Sequence, residues 1–168
     1  MGTGINITGL SLANDALGHL PFSPDAAARL AFGIITQRPT AALPASGTGT
    51  LFTIVGGRVR ITSLIGEVTT VIQTQACTAK ITSTPTVGAA VDLCATLDVT
   101  AKVVGSLFYI TGTLATALVN AQCALAMAQQ LIVNTGKIDL ITGATNSGSV
   151  KWTIQWIPVD VGATLVAA

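Results

Sequence analysis

Leu51-Phe52-Thr53-Ile54-Val55-Gly56-Gly57-Arg58-Val59-Arg60-Ile61-Thr62 is two alternating runs around a glycine pair. Alternation with a period of two is the signature of a strand with one buried face. Gly-Gly between two such runs fits a two-residue hairpin turn of type I′ or II′. The spacing sets Ile54 opposite Val59 and Phe52 opposite Ile61 on one face. On the other, Val55 meets Arg58 and Thr53 meets Arg60. The apolar side chains are then in phase across the turn, which fixes the register. The stretch therefore predicts a β-hairpin.

The same grammar continues downstream. Residues 67–74 are rich in β-branched side chains, and residues 78–84 form a run that ends at Pro85. Val91, Leu93, Ala95, Leu97 and Val99 alternate with Asp92, Cys94, Thr96 and Asp98, which predicts one strand with a buried and a polar face. Residues 106–113 carry Phe108 and Tyr109 in a further strand. Residues 137–142 and 150–157 flank Asn146-Ser147-Gly148 and read as a second hairpin. In it Val150, Trp152, Ile154 and Trp156 share a face, opposite Lys151, Thr153 and Gln155. Residues 159–166 can supply a last short strand. Residues 114–132 are open between helix and strand. Leu114, Leu118, Ala121, Leu125, Ala128 and Ile132 form a helical stripe, but no capping box introduces it and both neighbours are strands. Seven or eight short strands predict an all-β fold, an antiparallel β-sandwich or jelly roll over residues 50–168.

Residues 1–49 read differently. They hold Pro21, Pro24, Pro39 and Pro44, four of the six prolines, and show no sustained period of two. Ser23-Pro24-Asp25 is a helix start, with Ser as N-cap, Pro at the first helical position and Asp at the positive dipole end. A short helix over residues 23–32, ended by Gly33, follows. Residues 41–50 are small and turn-rich, a linker. The segment is thus an extended N-terminal arm with one short helix. Its Ile5, Ile7, Leu10, Leu12, Phe22 and Phe32 favour docking on a neighbouring surface over free solvation. Folding back on the chain's own β-body is the alternative.

Composition narrows the function. The chain has 168 residues, of which 9% are charged and 50% hydrophobic, with a net charge of +1. It contains 25 Thr, 25 Ala, 15 Val and 15 Ile, but aromatics make up only 4%. This is too apolar for disorder and lacks the basic excess of a nucleic-acid binder. Mean hydropathy is +0.69, yet the most apolar window, residues 114–133, contains Thr116, Asn120, Gln122, Gln129 and Gln130, which argues against a spanning helix. One Tyr and two Trp cannot supply the girdles of a membrane barrel. No Lys or Arg precedes Arg29, so a secretory leader is not expected. The expectation is no membrane and no nucleic acid. The apolar surplus is expected in strand packing and subunit contacts.

The chemistry-bearing residues are few. Cys77, Cys94 and Cys123 occur singly, without zinc spacing, and read as buried free thiols. His19 has no nucleophile in a catalytic context and reads as a packing or surface residue. Gly47-Thr48-Gly49 precedes a strand, the wrong context for a dinucleotide loop, and reads as linker. Asp92 and Asp98, about 20 Å apart at strand rise, are too far apart to share an ion and read as edge or inter-subunit charges. Arg58 and Arg60 read as edge protection or ion pairs to a neighbouring subunit. Trp152 and Trp156 read first as core and second as interface anchors. No catalytic, cofactor-binding or metal residue is expected, and the candidate interface residues are Phe22, Phe32, Arg58, Arg60, Trp152 and Trp156.

Three stretches carry a resemblance. They are Gly49-Thr50-Leu51-Phe52-Thr53-Ile54-Val55-Gly56-Gly57-Arg58-Val59-Arg60-Ile61, continuing to Gly66-Glu67-Val68-Thr69; Pro85-Thr86-Val87-Gly88-Ala89-Ala90-Val91-Asp92-Leu93-Cys94-Ala95-Thr96-Leu97-Asp98; and Gly143-Ala144-Thr145-Asn146-Ser147-Gly148-Ser149-Val150-Lys151-Trp152. They resemble small virion structural proteins of tailed bacteriophages, most closely capsid cement or head decoration proteins and less closely minor tail or fibre proteins. The resemblance implies a structural protein and not an enzyme, without a cofactor, assembled as a homotrimer. It implies binding to the major capsid protein on a virion built in the host cytoplasm. A tail or fibre binding module is the alternative. The resemblance does not reach the first 40 or so residues.

Overall fold

The computed structural model describes residues 33–168 and, N-terminal to them, β1 (Asn6–Ile7) and β2 (Leu10–Ser11). The chain divides into two units, Met1–Gly33 and Ile34–Ala168. In the first, β1 and β2 pair antiparallel, Asn6 opposite Ser11 and Ile7 opposite Leu10. The helix expected over residues 23–32 lies outside the described residues. Residues 34–49, assigned above to arm and linker, lie in the second unit as β3 and the start of β4.

The second unit contains β3 (Ile34–Ala42), β4 (Gly47–Val55), β5 (Val59–Thr70), β6 (Thr78–Pro85), β7 (Val91–Asp92), β8 (Leu97–Asp98), β9 (Leu107–Tyr109), β10 (Val119–Ala121), β11 (Leu131–Val133), β12 (Gly136–Thr142), β13 (Ser149–Pro158) and β14 (Thr164–Ala167). The chain is all-β, with no helix among the described residues. These strands form two six-stranded antiparallel sheets. One runs β10-β9-β5-β13-β3 with β11 also on β5; the other runs β14-β4-β12-β6-β7 with β8 also on β6.

Neither expected hairpin forms. β4 pairs β12 and β14, whereas β5 pairs β13, β9 and β11. Gly56-Gly57 therefore carries the chain from one sheet to the other. The stretch from β12 to β13 does the same, since β12 pairs β4 and β6 while β13 pairs β3 and β5. The burial pattern behind the expected register is nevertheless present. Phe52, Ile54, Val59 and Ile61 are all fully buried. In-phase apolar residues on either side of a corner meet in one core, as they would lie side by side across a hairpin. Two contacts hold the first corner. Gly56 has φ +77, and a Cβ there would lie 2.3 Å from the Gly162 carbonyl oxygen, so only glycine fits. The Asp160 carboxylate accepts the Arg58 backbone N–H at 2.7 Å.

Two other readings are corrected. Residues 114–132 contain β10 and the start of β11 and no helix. Of their helical stripe only Leu118 is fully buried, while Leu114, Leu125 and Ile132 are exposed, so a helix face has nothing to pack on. The backbone bonds to β9 and to Ala95 instead. The alternating run 91–99 is likewise interrupted. β7 and β8 each pair β6, and between them Leu93 and Cys94 are both buried, which breaks the period of two.

One buried apolar cluster draws on both sheets. Phe52, Ile54, Ile81 and Ile138 come from one sheet, and Ile61, Leu64, Trp152 and Ile154 from the other. Burying each such side chain contributes about 1.5–3 kcal/mol before ordering costs. β13 buries Val150, Trp152, Ile154 and Trp156 in strict alternation, as the sequence predicts. The Trp152 ring occupies the space over Gly66, its cross-strand partner on β5. At one margin the Trp156 Nε1–H donates to Thr36 Oγ1 at 3.0 Å, and the Thr36 hydroxyl donates to the Leu165 carbonyl at 3.4 Å. That relay ties β13 through β3 to β14 of the other sheet.

Asn146 secures the second corner. Its Oδ1 accepts the Gln73 N–H at 3.0 Å, and its Nδ2 donates to the Gln73 and Gln75 carbonyls at 3.3 and 2.6 Å. The buried side chain thus ties an exposed loop, residues 73–75, to the corner.

Two outcomes are expected in denaturant titrations followed by Trp fluorescence. Gly66→Ala lowers stability by about 1–3 kcal/mol through overpacking, since a Cβ there would lie 2.8 Å from the Trp152 ring. The penalty shrinks in a Trp152→Leu background, where the obstructing ring is gone. Asn146→Ala costs about 1–3 kcal/mol because three hydrogen bonds made by a buried side chain are lost. Asn146→Asp keeps the acceptor, loses both donated bonds and does not restore stability.

Candidate interaction surface

The six interface candidates fall into three groups. Phe22 and Phe32 lie outside the described residues, as does His19. Trp152 and Trp156 are core residues, exposed by 1% and 4%, and present no anchor to a partner. Their period-two alternation with polar neighbours already favoured the core. Arg58 and Arg60 are exposed.

Arg58 is committed within the chain. Its Nε and NH2 donate to the two Asp160 oxygens at 2.9 and 2.7 Å, in a bidentate pair. These bonds, joined by the Arg58 backbone N–H, hold the Asp160 carboxyl down to about 2. Val159 N–H also donates to the Arg58 carbonyl. The pair is therefore an internal clasp between the β4–β5 corner and the β13–β14 turn. The two residues are 102 positions apart, and no local motif marks Asp160 as the partner.

The expected edge charges are also engaged internally. Asp92 accepts Lys80 Nζ at 2.7 Å and the Thr82 hydroxyl at 2.8 Å, and these bonds lower its pKa, the lysine most. Asp98 accepts the Thr100 N–H at 2.8 Å and is lowered by Thr100 through its side chain and backbone. Asp139 is 3% exposed and accepts the Thr84 hydroxyl at 2.7 Å on Oδ2; its Oδ1 has no hydrogen-bond partner. Gly47-Thr48-Gly49 belongs to β4, not to a linker. Cys77 and Cys94 are buried free thiols, but Cys123 is exposed. Burial raises the Cys94 pKa most. No cluster of three or more His, Cys, Asp or Glu side chains is placed to hold a metal among the described residues.

The surface feature that the sequence did not reveal is apolar. β7, β11 and the loops beside them enclose a groove of ≈190 Å³. Val91, Leu114 and Ile132 on its rim are 47%, 45% and 57% exposed, and Leu93 and Val133 below them are buried. No charged residue lines it. Val91 was assigned to a buried strand face and Leu114 and Ile132 to a helical stripe, so the pattern that suggested burial concealed an exposed patch.

The clasp has a pH signature. A carboxyl with a folded pKa of about 2 and an unfolded value near 3.9 adds stability above about pH 4, and that contribution is lost as pH falls through about 2. Asp160→Asn should lower the thermal midpoint at neutral pH by less than a core truncation does, because the pair is solvent-exposed. It should also flatten the acid limb between pH 4 and 2. An unchanged midpoint with an unchanged acid limb would show that the clasp contributes nothing.

Comparison of the chain with protein-family models, with curated proteins and with solved structures finds no match.

Proposed function

We propose that the chain is a structural virion protein that binds an assembled phage capsid and reinforces it, as a cement or decoration protein. In this reading the two sheets are the layers of an antiparallel sandwich of jelly-roll type. The shared buried cluster supports it, because inward faces of both sheets contribute to one core. The body then serves as a rigid block. The major capsid protein and further copies of the chain, in a homotrimer, are its partners, and residues 1–33 supply additional contacts.

The observation that carries this reading is the surface. Thirteen large apolar side chains of the described residues are exposed, among them Val87, Val91, Leu114 and Ile132. Only 9% of the chain is charged. Surfaces of this kind suit a subunit held among many contacts better than a solitary one. The sequence stretches that resemble virion proteins point the same way.

The test is copy number and binding. The full-length chain, mixed with assembled capsids lacking it, should saturate at hundreds of copies per particle and raise the temperature at which the shell opens. A handful of copies located at the tail would favour the tail or fibre reading. No binding to either structure would end both.

A further inference from the structure

β4 is held unequally along its two edges. On one side lies β12, seven residues long, paired on both its edges and burying Ile138 and Leu140. On the other lies β14, four residues long, with Thr164 opposite Val55 and Ala167 opposite Phe52. Leu165 is the only buried residue in it, and Val166 is 52% exposed. Among the described residues no strand bonds to the far edge of β14. Two side chains of β3 fasten it there instead. The Thr36 hydroxyl donates to the Leu165 carbonyl at 3.4 Å, and Arg38 Nε donates to the Ala168 carbonyl at 3.2 Å in an exposed position. Few buried apolar groups and exposed backbone bonds are the marks of a segment that opens before the rest.

The root of β14 is fixed by contrast. The bidentate Arg58–Asp160 pair and the Val159 N–H to the Arg58 carbonyl hold the turn that precedes it. Gly162 stands where that turn meets the strand, with φ +85 and open space in place of a Cβ. Hinges are a few such loop residues that absorb the change in backbone angles. We infer that β14 is a strap, which opens from the edge of β4 and recloses as a unit while the rest of the body stays folded. What it covers is the backbone edge of Leu51-Phe52-Thr53-Ile54-Val55, an uncharged run of strand-forming residues. An open edge of that kind is a template for adding another strand, and the closed strap shields it. The inference does not depend on capsid binding.

Neighbouring amides of β4 report the two edges separately. Ala168 N–H donates to the Leu51 carbonyl at 3.1 Å, so Val166 and Thr164 face β4 in the same phase, opposite Thr53 and Val55. The Phe52 and Ile54 amides then point to β12. Hydrogen exchange of the full-length chain, read residue by residue by NMR, is the test. After correction for intrinsic rates, Thr53, Val55 and Val166 should exchange together, more than about tenfold faster than Phe52 and Ile54, and with little dependence on dilute urea. Leu165→Ala should speed this set by more than about tenfold again, and Arg38→Ala should move it in the same direction if Leu165→Ala misfolds. Asn146→Ala weakens the body but not the strap, so it should speed Phe52 and Ile54 and leave the set unchanged. Gly66→Ala replaces it if that variant does not fold. Thr53 and Val55 exchanging as slowly as Phe52 and Ile54, a set that moves with the body in Asn146→Ala, or a set unmoved by Leu165→Ala overturns the inference.

Discussion

The approach of Gly56 to the Gly162 carbonyl is the constraint on which the described body depends. It turns the chain out of one sheet and into the other within two residues. A side chain at position 56 would push the corner off the β13–β14 turn. With the corner closed, the Arg58 guanidinium reaches Asp160 in two parallel bonds. β4 can then bond to β12 and β14 while β5 bonds to β13, β9 and β11. Every long strand of the body follows from this separation.

The second corner works by different chemistry for the same end. Asn146 gives one acceptor and two donors to the backbone of residues 73 and 75. One buried side chain thereby fastens an exposed loop to the corner. One corner is thus held by shape and an exposed ion pair, the other by a buried amide. Between them the core closes without any aromatic cluster beyond Phe52, Phe108, Trp152 and Trp156. Twelve of its twenty-seven buried residues are Val or Ile, which suits pleated surfaces with restricted rotamers.

Two ion pairs on the surface of the body engage four of the chain's Lys, Arg, Asp and Glu side chains. Arg58 with Asp160, and Lys80 with Asp92, each join segments distant in sequence. Beside exposed charges such as Arg60, Glu67 and Lys137, the outside carries thirteen exposed large apolar side chains among the described residues. The groove beside β7 and β11 belongs to that surface, at a margin that no other described element covers.

The sequence by itself determined the class of the fold and much of its interior. Alternation in residues 51–62 and 150–157 picked out Phe52, Ile54, Val59, Ile61, Val150, Trp152, Ile154 and Trp156 as buried, and all eight are. It could not determine which strands bond, because an in-phase pattern around a turn is satisfied equally by a hairpin and by a corner between facing sheets. That choice rests on contacts between residues a hundred positions apart, such as Gly56 with Gly162 and Arg58 with Asp160, which no local spacing encodes. The same holds for the surface. Val91, Leu114 and Ile132 carry the periodicity of buried positions, and only the tertiary structure places them at a margin where no element of the described body covers them.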